Sequence, residues 1–191
     1  FYILAVMLTG FGLRRSYPHR ALGWCNVVTL LRLAMVCVLL IGLVAGVGLS
    51  WALFAFAIGA LSLDGVDGFL ARREGLTSAF GARFDMEVDA VFALILSVMA
   101  YSNGVAGAFV VLLGLPSYLF FVAKFIWPWL DQPLPDLFSR KVVCVAQLGV
   151  LIALQLPLDL GGALAIAAFA VAAALVWSFG RDIFWLARQP K

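Results

Sequence analysis

Charged residues are scarce in this chain of 191 residues: they make up only 12% of it, whereas hydrophobic residues make up 65%. A soluble domain has about twice that charged share and a smaller apolar share. The imbalance therefore excludes a water-soluble globular protein and indicates an integral membrane protein. Several apolar runs approach the ~20 residues that a helix needs to cross the hydrocarbon layer. No period-two alternation supports spans made of β-strands.

Cysteine and histidine are also rare, with three cysteines and one histidine in the chain. Cys25, Cys37 and Cys144 are scattered within predicted helices, so they imply neither a disulfide framework nor a metal site. His19 lies in a turn before the first predicted span, where we expect it to meet lipid headgroups rather than to act in catalysis.

The hydrophobic pattern predicts an all-α, polytopic membrane protein with six transmembrane helices. We expect the spans at residues 24–48, 50–73, 79–102, 105–128, 139–157 and 161–187. Residues 1–23 are predicted to form a juxtamembrane or interfacial segment, and residues 24–191 a single six-helix domain. The last span is rich in small residues, which permit close helix packing. A homodimer formed through this helix is therefore an open alternative.

The basic residues fix the predicted orientation. All thirteen lysines and arginines fall at or near one predicted membrane face, and the opposite loops around 102–104 and 158–160 have none. The positive-inside rule then places both termini and the 73–79 turn in the cytoplasm. We expect the membrane to be a bacterial inner membrane. Basic residues at a membrane surface favour anionic headgroups and phosphorylated substrates as partners, and nothing supports nucleic acid.

Acidic residues are concentrated in one segment, residues 64–89, which reads DGVDGFLARREGLTSAFGARFDMEVD and holds six of the ten carboxylates. Asp64 and Asp67 are three residues apart near the end of the second span, and Asp85 and Asp89 are four apart near the start of the third. Each spacing puts its pair on one helical face. Because the two spans are antiparallel neighbours, the four carboxylates can converge in the cytoplasmic half of the membrane.

Carboxylates at that depth would repel one another and lose hydration unless a cation lay among them. Oxygen ligands without histidine or cysteine favour Mg²⁺, Mn²⁺ or Ca²⁺ over zinc. Four carboxylates are also enough for two ions, an arrangement that suits phosphoryl transfer. Gly68 and Gly81 lie one helical turn from Asp64 and Asp85, and leave bare backbone where a bulky ligand can approach.

The spacing Asp-x2-Asp-Gly-x2-Ala-Arg-x8-Gly-x3-Asp-x3-Asp resembles the signature of the CDP-alcohol phosphotransferase family, membrane enzymes that make phospholipids. Every signature position is matched, by Asp64, Asp67, Gly68, Ala71, Arg72, Gly81, Asp85 and Asp89. The predicted six-helix count also agrees with that family.

The resemblance implies roles for these residues. Divalent metals, Mg²⁺ or Mn²⁺ and two ions in number, would be held by Asp64, Asp67, Asp85 and Asp89. The general base would be Asp89. The cytidine diphosphate portion of the donor would be accommodated by Gly68, Ala71, Arg72 and Gly81.

The acceptor site is predicted from the start of the fifth span, SRKVVCVAQ, where basic residues lie at the same cytoplasmic level as the carboxylates. Such residues ordinarily anchor a helix to the membrane surface, but an anionic acceptor would need them as a pocket. The Lys141-x5-Gln147 spacing and the NVVTLLRL stretch of the first span resemble the phosphatidylglycerophosphate synthase and cardiolipin synthase branch. The residues assigned to acceptor or phosphate binding are Arg140, Lys141, Asn26 and Arg32.

These observations predict transfer of a phosphatidyl group from CDP-diacylglycerol to glycerol 3-phosphate or phosphatidylglycerol, with release of CMP. Serine, inositol phosphate or choline as acceptor, or a soluble CDP-alcohol as donor, would use the same metal site and stay open. A carboxylate-lined cation transporter is an alternative of another class. Arg72 with its neighbouring glycines, and carboxylates confined to the cytoplasmic half, favour the enzyme.

Overall fold

A computed structural model of the chain describes residues 24–74, 79–127, 138–158, 160 and 162–187. Within these ranges the protein is helical and has no β-strand, which confirms the predicted all-α class. The described helices are α1 (Trp24–Val44), α2 (Trp51–Glu74), α3 (Ala79–Ser102), α4 (Val111–Gly114), α5 (Pro116–Ile126), α6 (Phe138–Ala153) and α7 (Ala163–Ala187), with a 3-10 helix (Ala108–Val110) between α3 and α4.

The chain divides into two compact units between residues 92 and 93. In the first unit, α1 packs against α2. The buried residues follow helical spacing, with Leu33 and Val36 on α1 and Leu53, Ala57 and Ala60 on α2. Because residues three or four positions apart lie on one face of a helix, each helix presents an apolar stripe to its neighbour.

The connection between α1 and α2 is built from capping residues. Gly46 has a positive φ of 66°, a conformation that favours glycine just after a helix, and the N–H of Val47 donates to the carbonyl of Gly42 at 2.9 Å. Ser50 accepts a 3.3 Å hydrogen bond from the backbone N–H of Leu53 through its hydroxyl oxygen, and so caps the start of α2.

In the second unit, α6 packs against α7, and α7 also contacts α4 and the 3-10 helix. The buried apolar residues include Val110, Leu113, Leu151 and Leu175. This part of the chain therefore has a hydrophobic core of its own.

Two buried glutamines link helices within the second unit. Gln147 on α6 donates through Nε2 to the carbonyl of Leu113 on α4. Gln155 donates through Nε2 to the carbonyls of Leu96 at 3.0 Å and Leu151 at 3.1 Å. In apolar surroundings such bonds hold helices in one register, because an unpaired amide there would be costly.

The span predicted at 105–128 is not a single helix, because the structure divides this region into the 3-10 helix, α4 and α5. Pro116 occupies the first turn of α5. Proline has no N–H to donate and its ring clashes with the preceding turn, so a helix begins at Pro116 rather than continuing through it.

Six transmembrane helices are not confirmed. Among the described residues, two helices are long and apolar enough to cross a membrane, Val27–Val44 and Ala163–Leu186. Trp51–Val66 and Val142–Ala153 are apolar but shorter. The acidic residues of segment 64–89 interrupt the apolar sequence of α2 and α3. Charged positions of this kind are costly inside hydrocarbon.

The predicted juxtamembrane segment at 1–23 lies outside the described residues.

Gly114 gives a test of the packing between α4 and α3. A Cβ added at Gly114 would lie 2.7 Å from the Cα of Leu94 and 3.1 Å from the carbonyl oxygen of Ala93. Because backbone would have to move, Gly114→Ala should lower the free energy of unfolding by ~1–3 kcal/mol. The measurement is the midpoint of thermal unfolding in detergent micelles.

Gly149→Ala on α6 is the matched control, because nothing lies within 4 Å of an added Cβ there. Alanine in a helix is more stable than glycine by ~0.5–1 kcal/mol, so this variant should be as stable as the wild type or more stable. Equal midpoints for the two variants would show that α4 and α3 do not approach closely at Gly114.

Candidate active site

Three of the four predicted aspartates come together in the first unit. Asp64 lies on α2, and Asp85 and Asp89 lie one turn apart on α3. One carboxylate oxygen from each lies within 4.8 Å of the other two. Oxygen ligands bind Mg²⁺ or Ca²⁺ at about 2.0–2.6 Å, so three oxygens at this separation can surround one ion.

The guanidinium of Arg32, on α1, lies among these carboxylates. Its Nη1 is 2.6 Å from Asp64 Oδ1 and 2.5 Å from Asp85 Oδ1, and its Nη2 bonds to Asp89 Oδ1. The group of Asp64, Asp85, Asp89 and Arg32 is called the acidic cluster below. It joins the three helices that the structure describes in the first unit through charged hydrogen bonds, which are stronger than neutral ones.

The two kinds of charge differ in exposure. The Arg32 side chain is 1% exposed, whereas those of Asp64, Asp85 and Asp89 are 31%, 42% and 36% exposed. The acidic cluster therefore has a buried side, occupied by the arginine, and an accessible side formed by the carboxylates. A ligand can reach the carboxylates without displacing the apolar core.

The acidic cluster fits a divalent cation on the chemistry of its donors. Three carboxylates against one guanidinium leave a net charge of −2. Excess negative charge that is partly removed from water is costly unless a cation compensates it. Hard carboxylate oxygens are the ligands that Mg²⁺ and Mn²⁺ prefer.

The remaining signature residues lie on α2 and α3, but the structure does not describe their surroundings. This applies to Asp67, Gly68, Ala71, Arg72 and Gly81. Their assigned roles stay predictions. Glu87 is exposed on α3 and does not belong to the acidic cluster, as its position two residues from both Asp85 and Asp89 predicts.

A second group of charges lies in the second unit, at the start of α6 and near the end of α7. Arg140 donates through Nε to Asp182 Oδ2 at 3.0 Å. Arg181 donates through Nη2 to Asp182 Oδ1 at 3.2 Å and through Nη1 to Ser139 Oγ at 2.9 Å. We call these four residues the arginine cluster.

The arginine cluster has a buried anion and accessible cations. The Asp182 side chain is 7% exposed, whereas those of Arg140 and Arg181 are 31% and 30% exposed. Arg181 also stacks over the ring of Trp177, with 5.2 Å from Cζ to the ring centroid. Two guanidiniums are thereby held in fixed positions around one carboxylate, with positive charge in excess.

The sequence pointed to Arg140 but not to Asp182. The sequence does contain a signal for Asp182, because this acidic residue directly follows Arg181 in an otherwise apolar stretch. Such residues in a membrane segment are expected to pair.

The other predicted acceptor residues differ in outcome. Arg32 lies in the acidic cluster, and the side chains of Asn26 and Lys141 are outside the described part of the chain.

Carboxylates that converge in an apolar helical unit suit metal-assisted chemistry on phosphorylated substrates. Residues 23–178, about four fifths of the chain, match the family model of CDP-alcohol phosphatidyltransferase. This chain belongs to the CDP-alcohol phosphatidyltransferase family. No significant match is found among curated proteins or among solved structures.

Family membership establishes the class of reaction. The protein is an enzyme, a transferase of substituted phosphate groups that uses a CDP-alcohol as donor and an alcohol as acceptor. The cation-transporter alternative is thereby set aside. The apolar helices together with the family indicate a membrane protein.

Asp182 provides a test of the arginine cluster. Asp182→Asn removes the buried negative charge and leaves two guanidiniums facing each other, so the free energy of unfolding should fall by ~1–3 kcal/mol. Thermal unfolding in detergent micelles measures the change. The matched control is Glu87→Gln, which also removes one carboxylate but from an exposed position, and should change stability by less than ~0.5 kcal/mol. Equal stability of both variants would contradict the pairing.

Proposed function

We propose that this enzyme transfers a phosphatidyl group from CDP-diacylglycerol to an anionic alcohol, glycerol 3-phosphate or phosphatidylglycerol, and releases CMP. The observation that carries the proposal is the convergence of Asp64, Asp85 and Asp89, whose oxygens lie within 4.8 Å of one another. A CDP-linked donor contains a diphosphate, and phosphoryl transfer depends on positioned positive charge around such a group.

Divalent metal, Mg²⁺ or Mn²⁺, would be held by Asp64, Asp85 and Asp89 together with Asp67 of the same signature. Four carboxylates suffice for two ions. When bound, the ions neutralise charge on the diphosphate and make CMP a better leaving group. The hard oxygen donors and the net negative charge of the acidic cluster support this assignment.

Asp89 accepts the proton of the acceptor hydroxyl. Its side chain is 36% exposed, so a substrate hydroxyl can reach the carboxylate. As the proton moves to Asp89, the hydroxyl oxygen forms a bond to the phosphorus that carries diacylglycerol. The bond from that phosphorus to the bridging oxygen breaks, and CMP leaves with the electron pair. The reaction is a direct displacement with no covalent enzyme intermediate.

The nucleotide portion of the donor is assigned to Gly68, Ala71, Arg72 and Gly81. The glycines and the alanine allow the nucleotide to approach the helix backbone closely. Arg72 adds positive charge toward the diphosphate, for which its planar fork of donors is suited. These roles rest on the match of all four residues to the family signature.

The acceptor phosphate is assigned to Arg140 and Lys141. The ion pair from Arg140 Nε to Asp182 supports this role, because it fixes the guanidinium before any ligand arrives. An arginine held in this way loses little conformational entropy on binding a phosphate. Asn26 stays a candidate for acceptor binding, whereas the three ion pairs of Arg32 favour a place at the carboxylates.

The proposed setting is a bacterial inner membrane with six spans, both termini and the active site facing the cytoplasm. Residues 24–191 would form the catalytic domain and residues 1–23 an interfacial segment. The two apolar helices Val27–Val44 and Ala163–Leu186, the shorter apolar stretches and the one-sided basic residues support this topology. A homodimer through the small residues of α7 belongs to the same proposal.

The proposed reaction is tested with purified protein, CDP-diacylglycerol and Mg²⁺ or Mn²⁺, by measuring CMP release and the lipid product for a panel of labelled acceptors. We expect turnover with glycerol 3-phosphate or phosphatidylglycerol, and loss of turnover in excess EDTA. Turnover restricted to serine, inositol phosphate or choline would overturn the acceptor assignment. No CMP release with any acceptor or ion would overturn the donor assignment.

Asp89→Asn tests the general base. Asparagine cannot take up the proton, and loss of general base catalysis costs about 10²–10⁴-fold, so CMP release should fall by at least that factor. Glu87→Gln, which alters an exposed carboxylate two residues away, should keep wild-type turnover. Thermal unfolding of both variants checks that they are folded. Retained turnover in a folded Asp89→Asn variant would refute the assignment.

A further inference from the structure

Arg32 is the most deeply buried charged side chain that the structure describes, with 1% of the residue exposed. It lies in the apolar span Val27–Val44, where an isolated charge would be costly. Three carboxylates of the acidic cluster, on α2 and α3, pair with it and compensate its charge. The burial of Arg32 and the arrangement of the carboxylates therefore depend on each other.

The guanidinium takes one oxygen from each carboxylate. It bonds to Oδ1 of Asp64, Oδ1 of Asp85 and Oδ1 of Asp89. A divalent cation coordinated by the same residues would bind carboxylate oxygens of this cluster, which lie within 4.8 Å of one another. It would therefore lie close to the guanidinium. Two cationic groups in so small a space repel each other strongly, because Coulomb energy rises as distance and effective dielectric constant fall.

We propose that Arg32 is a resident counter-cation of the acidic cluster, which holds the three carboxylates together in the metal-free enzyme and competes with the divalent metal for them. This inference rests on the proposed function in assuming that metal binds at the cluster. On metal binding, Arg32 gives up part of its contacts with the carboxylates. The wild-type affinity for metal is then weaker than the same carboxylates would give alone.

The alternative is that Arg32 supports the metal site by orienting the carboxylates from their buried side. Outer partners of metal ligands commonly have this role, and their removal weakens metal binding. Competition and support predict opposite signs for the effect of removing the guanidinium. The sign of that effect therefore decides between them.

The experiment uses the full chain in detergent micelles and titrates Mn²⁺, following the electron paramagnetic resonance signal of the free ion. For Arg32→Gln we expect Mn²⁺ to bind about tenfold more tightly than to the wild type, equivalent to about 1.4 kcal/mol. In EDTA the variant should unfold at a lower temperature than the wild type. The rise in unfolding temperature on adding Mn²⁺ should be larger, because the ion then supplies the missing charge.

Arg73→Gln is the matched control. It removes the same charge from an exposed position on α2, nine residues from Asp64 and about 13 Å along the helix. Its Mn²⁺ affinity should stay near the wild-type value. An equal gain in both variants would overturn the proposal, because the effect would then be one of net charge.

Arg32→Lys covers the case in which Arg32→Gln does not fold. Lysine keeps the charge but lacks the planar fork that reaches three carboxylates, so it should hold them less firmly and Mn²⁺ should again bind more tightly than to the wild type. Unchanged or weaker Mn²⁺ binding by the Arg32 variants overturns the inference while leaving the metal site in place. Absence of Mn²⁺ binding by the wild type would instead overturn the proposed function.

Discussion

Negative charge inside an apolar helical unit needs positive charge beside it, and the first unit of this protein depends on that requirement. Three carboxylates on α2 and α3 face the single guanidinium of Arg32 on α1. The apolar stripes of α1 and α2 bring the helices together without specifying one register closely, because hydrophobic contact is non-directional. The charged hydrogen bonds are directional, so they add the specificity that the apolar packing lacks. The geometry of the acidic cluster and the packing of the helices therefore determine each other.

The second unit uses the same rule with the charges reversed. One buried carboxylate, Asp182, holds two partly exposed guanidiniums, and the buried Gln147 and Gln155 donate to carbonyls of α4 and α3. Polar groups at these positions are costly unless they are paired. Each unit therefore keeps its excess charge on the accessible side, negative in the acidic cluster and positive in the arginine cluster. Under the proposed function, these signs would suit a metal-bound diphosphate donor and an anionic acceptor.

Much of the first unit could be predicted from sequence, because its determinants are local. The bounds of α3 and the convergence of Asp64, Asp85 and Asp89 follow from helical spacing and an antiparallel turn. The position of Arg32 among the carboxylates could not be predicted. Charge balance indicates that a cation is needed there, but not which residue or ion supplies it. Pro116 shows another limit: the apolar run suggested one long helix, although the missing N–H of a proline ends such a run. Asp182 was missed because its partners are 42 residues away or adjacent on the chain, and neither distance follows a helical period.

If metal binds as proposed, the single guanidinium of Arg32 gives a reason for a metal requirement in catalysis rather than in folding alone. Arg32 carries one positive charge against three carboxylates, which leaves the acidic cluster with excess negative charge on its accessible side. A diphosphate approaching that side adds more negative charge, and one guanidinium already engaged on its buried side cannot compensate it. Divalent ions supply more charge per site and accept ligands from protein and phosphate together. The demand for metal would then rise with the arrival of the donor, which ties metal binding to the step in which the donor's diphosphate must be held.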